Sequence, residues 1–352
     1  MCGKVSKYLL LAACVCLIAC NKSVKTSPIE RPAFSSDSAY AYIEKQLAFG
    51  PRVPNSKAHT DCAVWLIQEL RRHGAEVELQ KGTMPDYSGR NQQVINIIGH
   101  FRPTAKDADG EMSTVHTFRS FSEGDKNCQL STIILCAHYD TRAWCDEEPL
   151  YEDRAYNVPG ANDGASGVAV LLEVARQLGQ MADSQKLAAP IDIIFFDYED
   201  QGTPHTYTGV QRENTWCLGS QLFATNYLTT NDQRVTTYRY GILLDMVGAP
   251  DATFPKEMYS MQYAQNYVEL IWRKAHALGH GRYFVERAAF PITDDHYYLN
   301  KAGIPCVDII HYDNHNAAGF ASWWHTRQDD IQNIDKSTLQ AVGEVVLSVI
   351  DN

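Results

Sequence analysis

Apolar Val64, Leu66, Ile67 and Leu70 recur on one face of a 3.6-residue period and run up to Gly74, which predicts a helix over residues 58–73. A shorter helix is predicted before it, over 37–47, with Gly50-Pro51-Arg52-Val53-Pro54 breaking the chain between the two. Four compact apolar runs further on, 132–137, 191–196, 240–244 and 306–310, suit strands buried on both faces. Helical patterns separate them at 165–178, 220–228 and 261–277, and a closing helix is predicted near 336–349. This alternation predicts an α/β fold: a single domain over 37–352 with a central, mostly parallel twisted sheet flanked by helices. No internal repeat interrupts it. The stretch 103–130, rich in Asp, Gly, Ser and Thr, is expected to be a hairpin or surface excursion.

The first residues follow another pattern. Lys4 and Lys7 precede an apolar run over 8–18 that is too short to span a bilayer, so residues 1–19 read as an export signal. The run ends in Leu17-Ile18-Ala19-Cys20, which resembles a bacterial lipoprotein processing box. Cys20 is then expected to become the lipidated first residue, with polar residues 20–36, including Pro28 and Pro32, as a tether. The expected location is the bacterial cell envelope, lipid-anchored and facing the periplasm. An ordinary signal peptide with a chance cysteine is the plainer alternative.

Composition removes other classes. The 352 residues are 45% hydrophobic and 21% charged with a formal net charge of -11, which offers no basic surface and excludes nucleic acid as a partner. Besides Cys20, six cysteines remain after the signal, Cys62, Cys128, Cys136, Cys145, Cys217 and Cys306, and their spacing matches no thiolate zinc pattern. Cys136 and Cys306 sit inside apolar runs and read as core residues. Cys145 and Cys217, both in loops, are the expected disulfide pair.

Each of the first three predicted strands runs into acids or histidine: His138-Tyr139-Asp140, then Asp197-Tyr198-Glu199-Asp200, then Asp245. Open α/β sheets bind ligands at the carboxyl ends of their strands, so these groups should gather there. A small-residue turn, Gly160-Ala161-Asn162-Asp163-Gly164-Ala165-Ser166-Gly167, adds Asp163, and Trp323-Trp324-His325-Thr326 adds a histidine ahead of Asp329-Asp330. Singly, an acid after a strand is more often a helix cap or turn former than a ligand. Five such elements at one sheet edge are harder to explain structurally, because clustered carboxylates repel unless a cation neutralises them. Oxygen ligands plus imidazole suit zinc in a site that keeps one position open.

These motifs, together with Leu244-Asp245, resemble in order those of the zinc aminopeptidase family. Three further segments resemble its glutaminyl cyclase branch: residues 243–250 with Thr253-Phe254-Pro255, the run Asp294-Asp295-His296, and residues 49–54. The resemblance spans nearly all of 39–349. It implies one zinc per chain on Asp163, Asp200 and His325, Glu199 as proton carrier, and Asp245 with Asp294 as an acidic pair sharing hydrogen bonds. It also implies Trp324 as a wall of the substrate pocket, and His138 and Asp140 as orienting groups or, for His138 with Asp245, holders of a second zinc. The sequence departs from the branch where Asp200 stands for glutamate and where Asp308 stands for the histidine of animal cyclases.

The implied reaction converts the N-terminal glutamine of peptides and exported proteins to pyroglutamate with loss of ammonia. Two rivals remain on the same fold. One is a two-zinc aminopeptidase in which Glu199 activates water; the other is an inactive binding module, which would need lost ligands.

Overall fold

Four largely buried strands make up the parallel part of the main sheet. A computed structural model describes residues 34–106, 112–114, 131–229, 237–313 and 319–350. The expected signal peptide, Cys20 and Cys128 lie outside the described residues. Among those described, no helix is long and apolar enough to cross a membrane.

In chain order the elements are α1 (Ser36–Leu47), α2 (Lys57–Arg72), β1 (Glu76–Pro85), β2 (Asn91–Phe101), β3 (Thr104–Lys106), β4 (Met112–Thr114), β5 (Thr132–His138), α3 (Ala165–Asp183) and β6 (Ile191–Phe196). They continue with α4 (Leu218–Thr229), β7 (Tyr238–Asp245), β8 (Phe254–Lys256), α5 (Met258–Ala277), β9 (Phe284–Ala288), α6 (Asp295–Lys301), β10 (Cys306–Ile310) and α7 (Lys336–Ile350). The main sheet has the order β1-β2-β6-β5-β7-β10. Pairs β6/β5, β5/β7 and β7/β10 are parallel, as expected, and β1 and β2 form an antiparallel edge hairpin.

Every residue of β5 and β6 is buried, as in parallel strands covered on both faces. Their alternation assigns the two layers. Ile133, Leu135 and Ala137 join α1, α2, α3, α5 and α7 residues in one core, and Ile134 and Cys136 pack with Phe223 of α4 and Leu299 of α6 in the other. Gly167, in the first turn of α3, lets that helix approach β7: an added Cβ would lie 2.1 Å from the Leu244 carbonyl oxygen. The Asp163 turn is thereby held against the end of β7.

The short strands β3 and β4 pair as the hairpin expected within 103–130. The expected disulfide is not formed. Cys145 and Cys217 are free and buried, because the Cys217 thiol faces Glu199 Oε1 at 3.1 Å instead of a second sulfur.

Candidate functional site

The carboxyl ends of β5, β6 and β7 meet where the sequence placed the chemistry. Glu199 and Asp200 follow β6 through Tyr198, whose φ of 57° is left-handed. A continuing strand would send neighbouring side chains to opposite faces. The turn at Tyr198 lets Glu199 and Asp200 line one pocket together. Asp140 fixes both from below: Oδ1 accepts the Glu199 N–H at 3.0 Å and Oδ2 accepts that of Asp200 at 3.2 Å. Arg142 Nη1 donates to the Asp200 carbonyl at 2.9 Å.

Asp163 is positioned by its backbone. The Asp329 carboxylate accepts the Asn162 N–H at 2.7 Å and the Asp163 N–H at 3.1 Å. Arg52, fully buried, donates to the Gly160 carbonyl at 2.6 Å. Arg52 and Asp329 had no role in the sequence reading; an arginine between two prolines signals a turn, not the carbonyl it reaches 108 residues away.

Asp163, Asp200 and His325 then converge. His325 Nε2 lies 3.0 Å from Asp200 Oδ1 and 3.4 Å from Asp163 Oδ2. One ligand atom from each of the three lies within 4.8 Å of the others, all are buried, and Asp200 Oδ2 has no hydrogen-bond partner. A donor set of two carboxylates and an imidazole with an orphaned oxygen fits a divalent metal such as zinc. A second set, His138, Asp163 and Asp245, shares Asp163. His138 Nε2 sits 3.0 Å from Asp163 Oδ1 and 3.1 Å from Asp245 Oδ1, and Nδ1 sits 3.5 Å from Asp140.

The electrostatics show the same strain. Burial pushes the Asp200 carboxyl up, and the Asp163 charge adds to it, while His325 and Arg142 pull the other way. Burial also pushes Glu199 well above the carboxylate range, opposed by His138 and reinforced by Asp294 and Asp200. Asp294 is pushed up to about 7 by burial and then by the Asp245 charge. For His138, burial alone would lower the pKa, but hydrogen bonds to Asp140, Asp163 and Asp245 outweigh it and hold the ring well above its usual value. A cation beside these acids relieves the repulsion.

Asp245 and Asp294 both line the pocket, and the Asp245 charge acts on Asp294. Asp245 Oδ1 is engaged by His138, Asp294 Oδ1 takes the Asp295 N–H at 2.5 Å, and Asp294 Oδ2 has no partner. Asp294 caps α6 through Oδ1, which leaves Oδ2 available in the pocket.

The pocket holds about 360 Å³ above these acids. Its walls are aromatic and aliphatic: Trp216, Trp324, Phe320, Phe290, Ile292 and Ile310. Trp324 stacks on the His325 ring at 3.6 Å between centroids, and Trp216 lies parallel to it at 6.2 Å. Trp324 lines the pocket together with Trp216, which the sequence did not single out.

Comparisons with known proteins agree with this geometry. The model of "Peptidase family M28" matches residues 121–350. A zinc-dependent exopeptidase of Parabacteroides distasonis is 43% identical with a TM-score of 0.78, covering 92% of this chain and 100% of that one. A glutaminyl cyclase of Tannerella forsythia is 42% identical with a TM-score of 0.77, covering 91% and 99%. The bovine glutaminyl-peptide cyclotransferase is 25% identical over 262 residues, 66% of each chain. The chain thus spans about two thirds or less of the length of the curated relatives it matches.

Proposed function

The chain belongs to peptidase family M28, and from that premise we propose that it is a glutaminyl-peptide cyclotransferase, closing N-terminal glutamine to pyroglutamate with release of ammonia. One observation carries the reading. Glu199 and Asp294 bring buried carboxyl oxygens within 4.8 Å of each other, lining one pocket with Asp163, Asp200 and His325. The likeness to the Tannerella forsythia cyclase over 99% of its length supports it.

The metal set Asp163, Asp200 and His325 is proposed to hold one zinc per chain, which when bound supplies Lewis acidity toward the γ-carboxamide. Glu199 takes a proton from the substrate α-ammonium and returns it to the departing nitrogen, from its place on the pocket wall. Asp294, with one free carboxyl oxygen, accepts a hydrogen bond from the leaving amide N–H. Trp324 and Phe320 exclude water and hold the glutamine chain folded, so that ring closure stays intramolecular. Water exclusion also suppresses simple hydrolysis.

A second reading, the two-metal aminopeptidase, draws on the set His138, Asp163 and Asp245. Metal content and substrate choice separate the two. The cyclase reading expects near one zinc per chain and turnover of glutaminyl peptides, whereas near two zincs with cleavage of aminoacyl chromogenic substrates would overturn it. The inactive-module reading finds no support, since every expected ligand is present and converges.

We further propose that the protein is exported and anchored through lipid on Cys20, where it meets exported proteins and peptides bearing N-terminal glutamine. The motif Leu17-Ile18-Ala19-Cys20 supports this. Metabolic labelling with a fatty acid should mark the wild type and fail in Cys20→Ala; equal labelling of both would end the proposal.

A further inference from the structure

Cys217 lies outside the mechanism, yet its sulfur touches the proton carrier. Its thiol donates to Glu199 Oε1 at 3.1 Å. One ligand atom each of Glu199, Cys217 and Asp294 lies within 4.8 Å of the other two, and all three residues are buried. Asp294, only 3% exposed, leaves Oδ2 without a partner. Glu199 and Asp294 line the pocket, so an ion entering from solvent reaches them.

The arrangement is preformed. Cys217 has a φ of 58°, a left-handed conformation that a residue with a Cβ keeps only when its surroundings impose it. The surroundings do so through two bonds: the Cys217 N–H donates to the Glu199 carbonyl at 2.8 Å and the Leu218 N–H to that of Tyr198 at 2.9 Å. They fix the sulfur beside the carboxylate before any ligand arrives. A thiol-to-carboxylate hydrogen bond alone satisfies Glu199 and leaves Asp294 orphaned. A cation between them satisfies all three groups.

We propose that Glu199, Cys217 and Asp294 form a second, inhibitory cation site, separate from Asp163, Asp200 and His325, that takes a thiophilic divalent ion such as cadmium or excess zinc. Sulfur sets the selectivity, because a thiolate prefers soft ions over magnesium or calcium. On binding, the S–H bond of Cys217 breaks, a metal–sulfur bond forms, and the proton leaves to solvent. Glu199 then directs its oxygen lone pair to the ion and cannot receive the substrate proton. The inhibitory consequence rests on the cyclase reading of Glu199; the binding itself does not.

The test titrates the full, zinc-loaded chain with cadmium chloride, following thiolate-to-cadmium charge-transfer absorption, bound zinc and cadmium, and turnover of a glutaminyl peptide. The expected result is one cadmium per chain beyond the retained zinc, with the absorption band, and turnover falling in step. Cys217→Ser, which keeps a hydroxyl donor toward Glu199, should lose the band and need on the order of 10-fold more cadmium for half inhibition. Glu199→Gln should weaken cadmium binding, read by absorption without any activity. A missing band, a band that survives Cys217→Ser, inhibition that tracks zinc release, or a full band with unchanged turnover would each overturn the proposal. If no glutaminyl peptide is turned over at all, the cyclase reading fails while the absorption band still decides the cation site.

Discussion

Asp140 Oδ1 accepts the backbone N–H of Glu199 at 3.0 Å, so the acid that ends one strand sets the position of the acid that ends the next. Its second oxygen does the same for Asp200, and neither oxygen faces the pocket. Asp140 thus holds the backbone of both neighbouring acids. Asp140→Asn turns an amide NH₂ toward one of these N–H donors. It should cost about 1–3 kcal/mol of stability and lower zinc affinity about 10–100-fold. Urea unfolding and competition with a chelator check both values.

The adjacent acids Glu199 and Asp200 should separate chemistry from metal binding. Glu199→Gln keeps shape and charge-free hydrogen bonding but carries no proton, so it should retain zinc and fold while turnover falls on the order of 10²-fold to 10⁴-fold. Asp200→Ala removes an oxygen from the Asp163, Asp200 and His325 set and should lose the metal itself. Zinc content, thermal unfolding and turnover measured side by side check the pair. Normal turnover in Glu199→Gln, or full zinc in Asp200→Ala, would reverse the roles.

Away from the site, His100 predicts how stability depends on pH. Burial lowers its pKa, but hydrogen bonds from the ring to Asp192 and Glu78 win and raise it from 6.5 to about 9. Charged His100 pairs with Asp192 at 2.8 Å between β2 and β6. A basic group raised on folding stabilises fully below its unfolded pKa, and that stabilisation is lost as pH rises through the folded one. The midpoint of thermal unfolding should therefore fall between pH 6.5 and 9. His100→Asn should flatten that fall; an unchanged slope in the variant would refute the assignment.

Much of this was legible because the parallel strands are continuous apolar runs, and their ends locate the acids without any knowledge of contacts. Residues 191–196 and 306–310 match the observed strands, and His138, Asp163, Asp200, Asp245 and His325 gather as expected. The edge hairpin β1/β2 escaped notice because β1 is largely exposed and carries Glu76, Glu78, Gln80 and Lys81 in place of an apolar run. Helix α5 begins at Met258, before the expected residue 261, because the Glu257 side chain accepts the Tyr259 and Ser260 N–H groups as an unusual cap. Cys217 was misread for a different reason. A cysteine in a loop carries no sequence mark of where its sulfur points, and the left-handed backbone that turns it to Glu199 comes from tertiary hydrogen bonds.

The reaction at the Glu199 and Asp294 pocket is read most directly by mass. A short peptide beginning with glutamine is incubated with the zinc-loaded protein, and the products are weighed. The expected result is a single product that keeps every residue and has lost one ammonia, with Glu199→Gln leaving the peptide unchanged. Release of free glutamine and a peptide shortened by one residue would contradict it and assign the pocket to peptide hydrolysis.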